Sequence, residues 1–87
     1  MKTTHDLKTD PEAFRAIASG AKQFEIRFDD RGFEVGDQLL LKETKFTGAE
    51  MKAGCPLIYT GDVEWMKVRY ILRGPVYGLQ KGWVIMS

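Results

Sequence analysis

Two stretches of strict apolar–polar alternation constrain this chain more than any other feature. In the first, Phe24, Ile26 and Phe28 interleave with Gln23, Glu25 and Arg27, the two-residue period of a half-buried strand. That spacing predicts three apolar side chains pointing in and three polar ones pointing out. In the second, from Asp62 to Arg73, Met66, Val68, Tyr70 and Leu72 share one face, and Val63, Trp65, Lys67, Arg69, Ile71 and Arg73 share the other. Neither pattern fits a helix, so sheet dominates the expected fold.

A single segment reads as helical. Asp10 suits an N-cap and Pro11 the first helical position, Phe14, Ile17 and Ala18 then fall on one face, and Gly20 can end the helix in a left-handed conformation. A helix of about nine residues needs tertiary packing to persist. Further strands are predicted over Gln38–Glu43, where Leu39, Leu40 and Leu41 suggest contact on both faces, and over Trp83–Met86. Turn clusters at 29–32, 35–37, 74–75 and 77–79 separate them. Residues 44–61, punctuated by Gly48, Gly54, Pro56 and Gly61, read as a long loop or an irregular hairpin. One helix followed by four or so closely spaced strands predicts an α+β protein with a partly closed sheet. At 87 residues the chain makes one domain, 1–87, because separate cores arise only at roughly 250–300 residues.

The same residues exclude several functions. The longest apolar runs, Leu39–Leu41 and Trp83–Met86, fall far short of the roughly 20 residues that span a bilayer. The N-terminus lacks the apolar stretch of a secretory signal, and the single cysteine, Cys55, allows no intrachain disulfide; both point to the cytoplasm. His5 and Cys55 each stand alone, so no metal site is expected. A phosphate-binding loop is missing too, since Gly74-Pro75-Val76-Tyr77-Gly78 lacks the Lys-Ser/Thr ending. The expectation is therefore a protein without a cofactor. A net charge of +1 gives no strong basic field, so a polyanion would have to be met by a local patch. The small basic excess lies in residues 62–87, with four basic residues against two acidic ones.

Two constellations could carry function. Lys22, Glu25 and Arg27 supply charged donors and acceptors for a planar polar ligand such as a nucleobase, and the Arg fork also fits phosphate or carboxylate. Strict alternation places Lys22 opposite the other two, an objection that weakens at a strand's first residue. The plainer reading is a solvent-facing, salt-bridged strand. Trp65, Lys67 and Arg69, with Arg73 next in line, form the second: an aromatic side chain beside cations lets bases stack while phosphates are neutralised. Its plainer reading has Trp65 covering a small second core under the 44–61 loop.

Beyond these local patterns, His5-Asp6-Leu7-Lys8, Pro11, Phe14, Gly20-x-Lys22-x-x-Glu25-Ile26-Arg27, Asp30-Arg31-x-Phe33-x-Val35-Gly36-Asp37, Tyr59-Thr60-Gly61, Tyr70-Ile71-Leu72 and Gly78-Leu79-x-x-Gly82 occur in that order. Together they resemble the ASCH domains of the PUA-like superfamily and, more narrowly, the DUF3850 group of small bacterial and phage proteins. The resemblance implies a small PUA-like β-barrel with one N-terminal helix packed against it. It also implies a cleft beside Gly20–Arg27 that engages RNA or a modified nucleoside, with Lys22, Glu25 and Arg27 as site residues. Within the ASCH group, members that deacylate N4-acylcytidine use a Lys matching Lys22 together with a Thr and a Glu. Here the Thr position is Glu25, which would hold the Lys22 ammonium protonated, and Glu64 is the nearest counterpart of the distant Glu. The expectation is thus an RNA-binding module, with Lys22, Glu25, Arg27, Trp65, Lys67 and Arg69 as its surface. An amidohydrolase using Lys22 as base or nucleophile, with Glu25, is the alternative, and a third is a protein partner bound through the 44–61 loop.

Overall fold

A strand forms where none was expected. The computed structural model describes residues 2–87, and in it Thr4–Thr9 (β1) is extended, with His5, Leu7 and Thr9 buried between exposed neighbours. The period is two, but His and Thr on the inner face hide it from an apolar count. β1 runs parallel to Gln38–Thr44 (β3), with His5 opposite Leu39 and Leu7 opposite Leu41; β3 pairs antiparallel with Tyr59–Lys67 (β4). The first sheet therefore has the order β1-β3-β4. A second, fully antiparallel sheet has the order β2-β6-β5, from Glu25–Phe28 (β2), Trp83–Met86 (β6) and Ile71–Arg73 (β5).

One core joins the two sheets. Leu7, Leu39 and Leu41 from the first sheet meet Val84 and Met86 from the second, with Phe33 and Val68 from the connections, and all are at most 2% exposed. Burying side chains of this size contributes about 1.5–3 kcal/mol each. The helix Pro11–Ala18 (α1) lies against β3 and β4, with Phe14 buried and Ile17 packed on the core. Ala18, expected on the same face, is exposed, and Gly20 turns the chain out of the helix at φ 83°. The Asp10 side chain does not cap α1; its Oδ1 instead accepts from the Gly48 N–H at 3.0 Å.

The expected closed PUA-like barrel with an N-terminal helix is not what forms. Two open three-stranded sheets are present, β1 precedes α1, and a second short helix, Gly48–Lys52 (α2), lies in the stretch read as loop or hairpin. The open seam has a physical cause: no ladder joins β1 to β2, and arginine side chains occupy the β1 carbonyls instead. Arg27 Nη2 donates to Lys8 O and Arg31 Nη1 to Asp6 O, each at 2.8 Å.

Both alternating stretches behave differently from their simplest reading. In β2 the faces are inverted: Glu25 is 2% exposed, whereas Ile26 and Phe28 are 45% and 53% exposed. Register explains the inversion, since Glu25 stands opposite Met86, and Met86 opposite Ile71, on the core side of the sheet. The 62–73 stretch is two strands, not one. At Val68 the backbone bonds to Gly36 and Asp37 beside the first sheet, and at Arg69 and Tyr70 it bonds to Ser87 beside the second. The crossing shifts the phase, so Ile71 packs on the core while Tyr70 is exposed.

Candidate functional site

Glu25 is the centre of the site. Buried in β2, its carboxylate would be costly without partners, and each oxygen has one: Oε1 accepts from Lys22 Nζ at 3.0 Å and Oε2 from Arg27 Nε at 2.9 Å. Lys22 reaches it from the turn after α1, where the Lys22 N–H donates to Ala16 O, and its ammonium sits 5.1 Å from the Phe24 ring centre. The alternation objection to Lys22 thus falls away, because the residue precedes the strand. The exposed salt-bridged strand is also excluded, since the carboxylate lies inside.

Lys22 and Arg27 face different grooves. On its side, Lys22 lines a cleft of about 460 Å³ along β4, one of the two edge strands of the first sheet, together with Glu64, Trp65, Lys67 and Arg69. The structure thereby brings one member of the first constellation next to all three of the second. Trp65 is 58% exposed and covers no second core. Lys67 and Arg69 have no ion-pair partner among the described residues. Arg73 is not part of the cleft; it binds Asp29 Oδ2 at 3.0 Å and Phe33 O at 2.6 Å. Arg27 lies on the other side, along the seam between β1 and β2.

The Glu25 side chain is 3% exposed and each of its oxygens accepts from a cation, with the Lys22 ammonium already donating to it. Glu64 lines the cleft but makes no ion pair with Lys22. Elsewhere, His5 is a structural residue: its Nε2 lies 2.9 Å from Asp37 Oδ2, and its ring packs edge-on to Phe33. Burial pushes the Asp37 pKa up, but hydrogen bonds from His5 and from the Glu34 and Thr3 N–H groups outweigh it and leave the value lowered. Asp29 is lowered in the same way, burial being overcome by the Phe33, Gly32 and Arg31 N–H groups and by Arg73. Among the described residues no three His, Cys, Asp or Glu side chains gather to hold a metal ion, and no helix is long and apolar enough to cross a membrane.

Fold and cleft together define a small α+β domain of two open sheets, with a cationic, aromatic-flanked cleft at one sheet edge. Within that class the particular family is clear: residues 4–87 match the model described as Domain of unknown function (DUF3850), and the chain belongs to the DUF3850 family. No curated protein matches the chain.

Proposed function

We propose that this protein binds single-stranded RNA or a modified nucleoside in the cleft along β4. The observation that carries the reading is the meeting of Lys22, Lys67 and Arg69 around an exposed indole, Trp65, from segments far apart in the chain. Stacking on Trp65 supplies sequence-tolerant affinity of about 1–3 kcal/mol per base, and the cations neutralise phosphates. The resemblance of Gly20-x-Lys22-x-x-Glu25-x-Arg27 to ASCH domains points to the same ligand class. With three cations in reach, the salt dependence is shallow, a log–log slope of about −2 at roughly 0.7 per single-strand contact.

The test is a titration of isotope-labelled protein with a short single-stranded RNA carrying one N4-acetylcytidine, following amide shifts and released acetate together. Shifts at Lys22 and at 65–69 without acetate are expected. Steady acetate release that disappears in Lys22→Ala would replace binding by amide hydrolysis. A salt slope implying six or more contacts would refute the three-cation cleft.

A further inference from the structure

The groove at the open seam between β1 and β2 carries chemistry that the β4 cleft does not use. It encloses about 450 Å³, within the roughly 300–1,000 Å³ of small-molecule sites, and its walls differ in kind. One wall is apolar and aromatic. Ile26, Phe28 and Trp83 point outward from the second sheet, with Phe28 opposite Trp83 in register and their ring centres 6.0 Å apart, edge to face. The Phe28 ring is held against Gly82, where an added Cβ would stand 2.7 Å from it. The other wall is cationic, formed by Lys8, Arg27 and Arg31 with Asp30 as its only acid.

The arginines are fixed but not exhausted. Arg27 spends Nε on Glu25 and one Nη2 hydrogen on Lys8 O; Arg31 spends one Nη1 hydrogen on Asp6 O and has Asp30 at 3.8 Å from Nε. A guanidinium has five N–H donors, so each keeps several for a ligand while its plane is held in place. Arg31 also stands on a rigid turn, because Asp29 Oδ1 accepts the N–H groups of Arg31, Gly32 and Phe33. The Lys8 ammonium has no ion-pair or hydrogen-bond partner among the described residues. Holding donors before the ligand arrives lowers the ordering cost of binding.

From this juxtaposition we infer that the seam groove is a second site, for a nucleotide, with the base against Phe28 and Trp83 and the phosphate on Lys8, Arg27 and Arg31. An uncharged aromatic would leave the cationic wall unused, and inorganic phosphate would leave the aromatic wall in water. The seam groove and the β4 cleft share no lining residue, although Glu25 braces a cation in each.

The test titrates isotope-labelled protein with uridine 5′-monophosphate, uridine and inorganic phosphate, reading the two indole N–H signals separately. The monophosphate should move the Trp83 signal and the Lys8 and Arg31 amides, whatever the Trp65 signal does, and bind there at least about tenfold more tightly than uridine, one charge-assisted contact's worth. Lys8→Gln, at an exposed side chain without partners, cannot fail through misfolding and should weaken the monophosphate severalfold; Arg31→Gln should do so more strongly. Glu12→Gln, at an α1 residue that lines neither groove, should leave the Trp83 response unchanged. A 5′-phosphorylated RNA tetramer then distinguishes the source: tighter binding at Trp83 identifies an RNA end, weaker binding a free nucleotide. Equal binding of uridine and its monophosphate, shifts confined to Trp65, or dimerisation that covers Phe28 and Trp83 would each overturn the inference.

Discussion

Substituting Glu25→Gln tests the arrangement on which both grooves depend. The side chain is 3% exposed and accepts one charge-assisted hydrogen bond on each oxygen. Removing one member of a fully buried ion pair costs about 3–5 kcal/mol, because the remaining charge stays in a poor solvent. Here the cations retain 20% and 26% exposure and can turn partly to water, and the glutamine carbonyl keeps one acceptor. The expected loss is therefore smaller, about 2–3 kcal/mol. For a domain of this size that lowers Tm by roughly 10–20 °C, at about 4–8 °C per kcal/mol. Urea unfolding followed by tryptophan fluorescence measures it directly. The companion variant Lys22→Met/Glu25→Met/Arg27→Met replaces all three charges by apolar groups, and should recover more than half of the loss. A Glu25→Gln protein within about 0.5 kcal/mol of the parent would refute the reasoning, since that is the range of an ordinary surface change. A triple variant no more stable than the single one would show that packing, not charge, sets the cost.

Acid should remove the contribution of Asp37. Its pKa is lowered in the folded protein, so the stability it confers is complete above its ordinary value of 3.8 and is lost as pH falls below that value. Urea midpoints of the parent and Asp37→Asn should accordingly differ at neutral pH and converge below about pH 4; a gap that persists in acid would mean that ionisation of Asp37 is not what stabilises. Thr47→Ala should loosen α2 locally, costing about 1 kcal/mol, because Thr47 accepts from the Glu50 N–H while Glu50 accepts from the Thr47 N–H. Unchanged hydrogen exchange across Gly48–Lys52 would contradict that.

What could be read from the chain alone follows from where tertiary context overrules local pattern. α1, β3 and β6 sit where the chain predicts them, because Pro11 opens α1 ahead of Phe14 and Ile17 and the apolar runs Leu39–Leu41 and Trp83–Met86 mark the two strands. α2 has a local signal in the capping box Thr47-x-x-Glu50, but no buried residue follows it to mark a helix face. β1 was hidden because His5 and Thr9 occupy inward positions that only the Asp37 contact and the Thr9 hydroxyl's bond to Leu7 O make tolerable. Lys22, Glu25, Arg27, Trp65, Lys67 and Arg69 stand out in the chain as candidates, but nothing in the spacing of Lys22 and Arg27 reveals that they open on opposite sides of one carboxylate. Lys8, Arg31, Phe28 and Trp83 cannot be grouped from the sequence, because they come from three segments that meet only at the seam.

The inversion of β2 links fold and site. An alternating strand normally turns its apolar side chains inward, and here that would bury Ile26 and Phe28 and expose Glu25. The opposite orientation is tolerable because Lys22 and Arg27, on either side of Glu25 in sequence, supply a cation for each oxygen, offsetting the desolvation of the buried carboxylate. Two features of the surface follow from that one exchange. Phe28, released to the surface, joins Trp83 as an aromatic wall that a conventional strand would have lost to the core. The two cations, fixed by a shared anion, each present their remaining donors to a separate groove. Glu25 is thus a brace that fixes a cation at the edge of each groove.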